Sequence, residues 1–424
     1  VTIAAPNGVQ FVTSTIACWK VGAIPQPVSS RLPAMELDAL VDLAESRLVI
    51  GVDVEGHRSL PLGYTPSEEL DDSPLPDCVS PAWKAPTSGG STGRPKLIVS
   101  GDPSVFGAGI AGLAALLGAA SGKTMVIPGP LYHNGPFIWT FSTLLTGGHV
   151  ALLPRFNAEE TLRIVHETKA SAIYLVPTMM QRMWKLPDDV KAAFDLSSLT
   201  NAVHLAEPCP PWLKEVWIEW IGAENLWELY GGTEGQMFTF LDGTEWLAHR
   251  GSVGRPVMGE ATIRDLNGKD LPAGETGEIW MRSVDRDTPS YRYIGAKAES
   301  LGGWDCLGDM GWMDTDGYLY LTDRRDDMIL VGGANVYPAE VEAAVNAHPK
   351  VESCVVIGLP DEDKGNLIHA IVQAEDLKEQ ELMEFLAQRL VQYKLPRRIE
   401  WTDEALRDDA GKVRRGALRQ DRLH

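Results

Sequence analysis

The sequence predicts an α/β protein: a large N-terminal domain of layered α/β subdomains plus a β region, and a small α+β domain at the C-terminus. Three observations carry this reading. Helical and strand-like patterns alternate through the first half, which argues for parallel strands covered by helices. Stretches rich in β-branched and aromatic residues follow, GEIWMRS (277–283) and GYLYLTDRRDDMILVGG (317–333). Beyond DRRDD (323–327) the pattern restarts as a compact unit of about 95 residues, a size that suits a separate domain.

Taken in order, MELDALVDLAES (35–46) spaces its apolar residues for a helix, and RLVIGV (47–52) reads as a buried strand. VFGAGIAGLAALLGAA (105–120) is apolar but shorter than the ~20 residues of a spanning helix, so a close-packed interior helix is expected. AEETLRIVHETKA (158–170) is helical, and SAIYLVP (171–177) is a strand stopped by Pro177. In the last unit, PAEVEAAVNAHP (338–349) opens with a proline suited to a first helical turn. ESCVVIGLP (352–360) and LIHAIVQAE (367–375) are strands. KEQELMEFLAQRLVQ (378–392) places Leu382, Phe385, Leu386 and Leu390 on one helical face.

Acidic residues outnumber basic ones 58 to 38, for a net charge of −20. That argues against nucleic-acid binding through a broad basic surface. It leaves room for an anionic small molecule held by a local basic site or by backbone N–H groups. Cys18, Cys78, Cys209, Cys306 and Cys354 form no CxxC pair. Neither a disulfide framework nor a zinc site is indicated, and a reducing cytoplasm fits. VTIAAPNGVQ lacks the charged start and apolar core of a secretory signal, and no membrane span is expected.

Four short clusters hold the chemistry-bearing residues. SGGSTGRPK (88–96) reads alone as a flexible linker or as a loop whose N–H groups, hydroxyls and Lys96 surround a phosphate. It lacks the GxxxxGK[ST] spacing of a P-loop. In LWELYGGTEGQMF (226–238), Tyr230 ends a strand, Gly231 and Gly232 make a tight turn, and Thr233 and Glu234 follow. A hydroxyl beside a carboxylate suits Mg²⁺, and an ordinary β-turn is the plain alternative. In LGDMGWMDTDGYLYLTDRR (307–325), Asp309 lies in a Gly-flanked turn, where it could accept from vicinal ribose hydroxyls, with Arg324 in reach of the same sugar. Asp314, Asp316 and Asp326 read as turn-formers and a solvated face. In DDAGKVRRGALR (408–419), Lys412 alone reads as a solvated charge.

GGSTGRPK (89–96), YHNGPF (132–137), YGGTEG (230–235), GEIW (277–280), the run 307–342, VIGLPDEDKG (356–365) and AGKVRR (410–415) cover nearly the whole chain in one order. The ordered series resembles the adenylate-forming superfamily of acyl-CoA synthetases, luciferases and peptide-synthetase adenylation domains. In look it is nearest to fatty-acid and bile-acid-type ligases. The resemblance implies an AMP-binding domain over 1–325 and a mobile lid over 326–424, with a hinge near 324–327 at Asp326. It also implies ATP and Mg²⁺, with CoA as co-substrate. Ser91, Thr92, Gly93 and Lys96 then embrace the β- and γ-phosphates. Ala206, Glu207 and Pro208 stand beside adenine, Tyr230 stacks on it ahead of Gly231, Thr233 meets the α-phosphate, and Glu234 holds Mg²⁺. Asp309 and Arg324 hold the ribose. Gly332 and Gly333 line the path of the pantetheine thiol, and Lys412 bridges the substrate carboxylate and the α-phosphate. His133 gates an acyl pocket formed with Asn134, Phe137, Trp139, Gly232 and Met237. Lys412, Glu234, Thr233 and His133 make the expected catalytic set.

The chain departs from the family pattern at Gly89, at Leu330 where many relatives have Lys, and at AEPCP (206–210), which replaces a Gly-Gly-Ala type of segment. Relatives carry a longer segment before the PNG near Asn7, so residues ahead of it, and others around 100–103, are expected to be missing from this sequence. The implied reaction is ATP-dependent acyl-CoA synthesis on a fatty, aryl or steroid-like carboxylic acid, with no nucleic-acid partner and with a homodimer left open. The alternatives are an acyl-AMP ligase that loads a carrier protein and a non-catalytic nucleotide-binding homologue. Glu234, Asp309, Arg324 and Lys412 together argue against the second. The end of the chain just after the lid lysine favours free CoA over a carrier.

Overall fold

The computed structural model describes residues 1–71, 73–89, 95–284, 286, 288–331, 334–361, 365–408 and 411–423. Its centre is a seven-stranded sheet. Five strands run parallel, in the spatial order Leu226–Gly231, Asn201–Leu205, Ala172–Leu175, Thr124–Ile127, His149–Leu152. Phe238–Asp242 and Arg255–Met258 extend it antiparallel. Parallel strands covered on both faces read as apolar runs, and Ala172–Leu175 (AIYL) is buried at every position. The helices Asn134–Leu145, Ala158–Thr168 and Pro211–Ile221 contribute Phe137, Leu162 and Trp217 to its core. Asn157 caps the second of these by accepting from the Glu160 N–H at 2.9 Å. Pro177 does more than stop the strand before it, since it opens the helix Pro177–Trp184.

Three smaller layers adjoin this sheet. A four-stranded parallel sheet near the N-terminus packs under Ala34–Leu43. The hairpin Thr87–Gly89 and Pro95–Ser100 takes Tyr291–Ile294 as a third strand. An antiparallel sheet joins Glu260–Arg264, Gly277–Arg282 and Trp304–Met313, with Glu299–Leu301 and Leu319–Arg324 both on the last of these. This is the β region that the sequence predicts.

In the C-terminal part, Val351–Asp361 and Gly365–Ala374 pair antiparallel, and Arg398–Trp401 joins in parallel. Alternate residues face opposite sides of a strand, and each side of this sheet has its own cluster. Cys354 and Val356 face the helices Pro338–Asn346 and Glu379–Ala387. Val355 and Ile357 face Leu406, Val413 and Leu418. Hydrophobic packing changes over between Leu321, which belongs to the antiparallel sheet, and Ile329, which belongs to the C-terminal core.

Two expectations need correction. The helix Ala108–Leu116 is not interior: Ala114 is buried, but Gly112 and Ala115 face solvent. A Cβ at Gly112 would meet nothing within 4 Å. The helix lies beside Asn134–Leu145 and packs on the core through Leu113 and Leu116, with small residues left on its outer side. The helix beginning at Glu379 ends at Ala387, so Leu390 packs on the core from beyond it. Among the described residues no helix is long and apolar enough to cross a membrane, and all five cysteines are free.

Lys214 of the helix Pro211–Ile221 forms a buried ion pair with Glu228 of the strand Leu226–Gly231, 2% and 7% exposed. His204 stands 3.9 Å from the same carboxylate, with burial driving its pKa well down, so it offers no replacement charge. Removing one partner of a buried pair leaves an uncompensated charge. Lys214→Met is therefore expected to lower unfolding stability by about 3–5 kcal/mol in chemical denaturation, and Lys214→Met with Glu228→Leu to recover most of it.

Candidate active site

In sheets of this kind, ligands bind in the crevice outside the carboxyl ends of the parallel strands. Three of the sequence clusters leave such ends. Leu226–Gly231 runs into Gly232, Thr233 and Glu234, and Asn201–Leu205 runs into Ala206, Glu207 and Pro208. Thr124–Ile127 leads to His133, the residue before the helix Asn134–Leu145. Gly231 is not part of a turn, because it pairs with Phe238 inside the sheet. The turn closes one residue later, where the Gly235 N–H donates to the Gly232 carbonyl at 3.1 Å. A Cβ on Gly232 would stand 2.3 Å from Leu307 Cδ1 and 2.9 Å from Glu234 Oε2. Glycine there leaves Glu234 free to face the crevice.

Asp309 also differs from expectation. It lies within the strand Trp304–Met313, not in a turn, directly paired with Arg324 on Leu319–Arg324. The flanking glycine serves a local kink: Gly308 has φ +86, and the register slips just after Met310. Asp309 Oδ1 is 3.3 Å from Arg324 Nε, and Oδ2 accepts from Tyr230 Oη at 2.8 Å. Burial, then the Asp309 charge, raise the Tyr230 pKa far above its usual range, so the phenol keeps its proton. A carboxylate with a guanidinium on one side and an aromatic face on the other can receive a nucleoside.

Lys96, on the strand Pro95–Ser100, places Nζ 3.8 Å from Glu234 Oε1 and 3.9 Å from the Tyr293 ring centroid. Tyr293 Oη donates to the same Glu234 oxygen at 2.5 Å. Among the described residues no group of three or more His, Cys, Asp or Glu could hold a metal by itself. One carboxylate facing a phosphate site fits Mg²⁺, which takes few protein ligands and keeps water and phosphate oxygens.

The C-terminal part closes over this crevice. Lys185 Nζ donates to the Val351 carbonyl, Gln181 Nε2 to Glu352 O at 3.5 Å, and Arg414 pairs with Glu36 at 3.3 Å. Val413 is anchored on the C-terminal sheet, and the Lys412 N–H donates to Asp408 Oδ1 at 2.9 Å. The Lys412 side chain keeps contact with solvent, yet desolvation of its ammonium lowers the pKa, and Asp408, Arg324 and Glu234 all act on its charge. His133 feels Lys412 too. Burial first, and then that cation, push the imidazole pKa down to about 3. Its Nε2 is shielded from solvent and has no partner among the described residues.

The remaining expected residues divide. Phe137 packs among Phe11, Trp19, Trp83 and Phe141. Met237 is fully buried in the antiparallel-sheet core, and Trp139 meets Tyr174 edge-on at 5.6 Å. Ala206 has φ +72, a left-handed conformation costing a non-glycine residue roughly 1–2 kcal/mol. Ser91, Thr92 and Gly93 lie outside the described residues, as do Gly332 and Gly333. Of Asp326, the backbone forms part of the short 3₁₀ turn Arg325–Asp327.

Two residues of the site escape sequence reasoning. Lys84 is 5% exposed, donates to Asn134 Oδ1 and lies 4.9 Å over the Trp83 ring. Burial pushes its pKa down to about 8, and Glu234 counters part of that. Its signal was a lone charge in the otherwise apolar PAWKAP (81–86). Tyr293 gave none, because an aromatic in a strand looks like any core residue.

An imidazole with so low a pKa stays neutral through the physiological range. The His133 ring resonances in NMR are expected to stay flat between pH 5 and 8.

Comparisons with known proteins agree with this architecture. The family model described as AMP-binding enzyme matches residues 1–285, and that described as AMP-binding enzyme C-terminal domain matches 340–412. A feruloyl-CoA synthase of Amycolatopsis is 31% identical over 98% of this chain and 87% of its own length. A fatty acid–[acyl-carrier-protein] ligase, ScoC, of Streptomyces coeruleorubidus is 30% identical over 95% and 82%. Among solved structures, the amide bond synthetase McbA of Marinactinospora thermotolerans superposes with a TM-score of 0.79 at 26% identity, covering 99% of this chain and 89% of that one. The fold and both family matches place the chain in the AMP-binding enzyme family of adenylate-forming ligases.

Proposed function

We propose that this chain is an ATP-dependent acyl-CoA synthetase that activates an apolar carboxylic acid as its adenylate and passes the acyl group to the CoA thiol. The observation that carries the reading is the seating of the lid loop. It brings Lys412 into electrostatic reach of both Arg324 and Glu234, across the crevice at the strand ends.

A carboxylate is a poor electrophile. Its oxygen attacks the α-phosphorus of ATP, the bond to the bridging oxygen breaks, and pyrophosphate carries away the electron pair. Negative charge grows on the phosphoryl oxygens, where Lys412 and Lys96 offset it electrostatically. Glu234 and the phosphates would hold Mg²⁺, which when bound neutralises charge on the phosphate oxygens. Asp309 accepts from the ribose hydroxyls, with Arg324 holding its carboxylate, and Tyr230 stacks on adenine. Thr233 bonds the α-phosphate, Ala206 and Pro208 flank the base, and Ser91, Thr92 and Gly93 close over the β- and γ-phosphates. In the second step the thiol sulfur attacks the acyl carbonyl, the thiol proton is given up to solvent, and AMP leaves. Neutral His133 cannot pair with the substrate carboxylate as a cation, which suits a gate between the acyl pocket and the nucleotide. Asn134, Phe137, Trp139, Gly232 and Met237 are assigned to the acyl pocket behind this gate.

The lid comprises residues 326–424 and turns about 324–327, where packing passes from one core to the next. Rotation there presents a second face for thioester formation, with Gly332 and Gly333 along the pantetheine path. Five free cysteines suit a reducing cytoplasm. The acid is of the aryl or fatty class acted on by the named relatives. Transfer to a carrier protein is the second reading, favoured by the match to ScoC.

Screening saturated fatty acids, ferulic acid and 2-succinylbenzoate for pyrophosphate release with ATP tests the reading. Acid-dependent release is expected to fall roughly 10²–10³-fold in Lys412→Ala, with AMP affinity by calorimetry retained. Release with no acid tested would sink it, and consumption of carrier protein in place of CoA would select the second reading.

A further inference from the structure

Glu207 is the residue that a Gly-Gly-Ala type of segment would not supply, and four observations meet on it. The strained Ala206, φ +72, turns it away from the line of the strand before it. Its Oε2 accepts from the Thr178 N–H at 3.2 Å and from Thr178 Oγ1 at 2.7 Å. Its Oε1 is shut off from solvent and has no partner among the described residues. That oxygen rests on the lid: a Cβ on Gly411 would fall 1.2 Å from it. Gly411 is buried, has φ +76, and directly precedes Lys412.

The lid side of this contact is stiff. The Gly411 N–H donates to the Asp408 carbonyl at 2.9 Å, and Arg407 Nη1 donates to the Gly411 carbonyl at 3.0 Å. Arg407 is itself tied to Glu342 at 3.1 Å, so the loop moves with the lid as one body. Where Gly411 sits fixes where Lys412 reaches. Building on the acyl-CoA synthetase reading, we propose that Glu207 is a positioning residue for adenylation: held by Thr178, its carboxyl group is the seat on which Gly411 docks Lys412 over the crevice.

The seat is ionisable. Burial, above all, pushes the Glu207 pKa up to about 7, against the opposing pull of Arg407 and Thr178. Asp408 faces it from the lid, Tyr174 from the neighbouring strand and Cys209 from its own loop, while Arg155 and Arg182 line the adjoining cavity of about 290 Å³. An open lid returns Glu207 to solvent and toward its ordinary 4.5. Closure therefore takes up a proton between these two values. Its advantage is complete at low pH, shrinks as pH rises from the lower value, and is gone above about 7.

The test uses the full chain, with the acid that gives the strongest pyrophosphate release in the screen above. Glu207→Ala is expected to slow that release on the order of 10²-fold. Thioester formation from supplied acyl-adenylate and CoA should change by less than about twofold. Glu207→Gln, which keeps the Thr178 bonds and cannot ionise, is expected to restore the rate and abolish its decline between about pH 4.5 and 7. Equal losses in both half-reactions, no loss in Glu207→Ala, or a wild-type pH profile in Glu207→Gln would each overturn the proposal. A wild-type chain that releases no pyrophosphate with any acid would overturn it together with the synthetase reading.

Discussion

The pairing of Asp309 with Arg324 across two adjacent strands is the constraint on which the arrangement of the site depends. The register of Trp304–Met313 on Leu319–Arg324 sets those residues opposite each other. Tyr230 ties the same carboxylate to the end of the central parallel sheet. The chain then leaves Arg324 directly into the turn Arg325–Asp327 and the C-terminal core. One carboxylate thus joins the layer that supplies the crevice, the layer that walls it and the strand that leads to the C-terminal core. Shifting the register by one residue would send Asp309 to the opposite face.

Around that point the protein gathers cations against its overall charge. A chain of net charge −20 places Lys84, Lys96, Arg324 and Lys412 where the field of Glu234 reaches each of them. Desolvation penalises every one of the ammonium groups, and an anionic substrate relieves that penalty. The site is therefore organised before the ligand arrives, and its electrostatics need little rearrangement during reaction.

Much of the fold was legible because periodicity reports burial. AEETLRIVHETKA became the helix Ala158–Thr168, and AIYL became a strand buried at all four positions. The alanine- and glycine-rich run near 108–116 misled, since small residues look the same on an interior helix as on one whose outer side faces solvent. At the site, motif order singled out Glu234, Asp309, Arg324 and Lys412, whose charges the structure brings within reach of one another, but not how the chain holds them. Asp309 reads as a turn residue from its flanking glycines, and only pairing across ten residues of strand shows otherwise. Lys84 and Tyr293 come from distant segments and meet the site through tertiary packing, which a local pattern does not encode. Glu207 was visible as a departure from the family pattern, while its meaning depended on Gly411, two hundred residues further along the chain.

The central claim is that a carboxylate oxygen attacks the α-phosphorus of ATP. Supplying an acid labelled with heavy oxygen in its carboxyl group and analysing the released AMP by mass spectrometry tests this most directly. The account predicts transfer of a single labelled oxygen from the acid to the AMP phosphate in each turnover. Unlabelled AMP, or label appearing in inorganic phosphate alongside ADP, would contradict it.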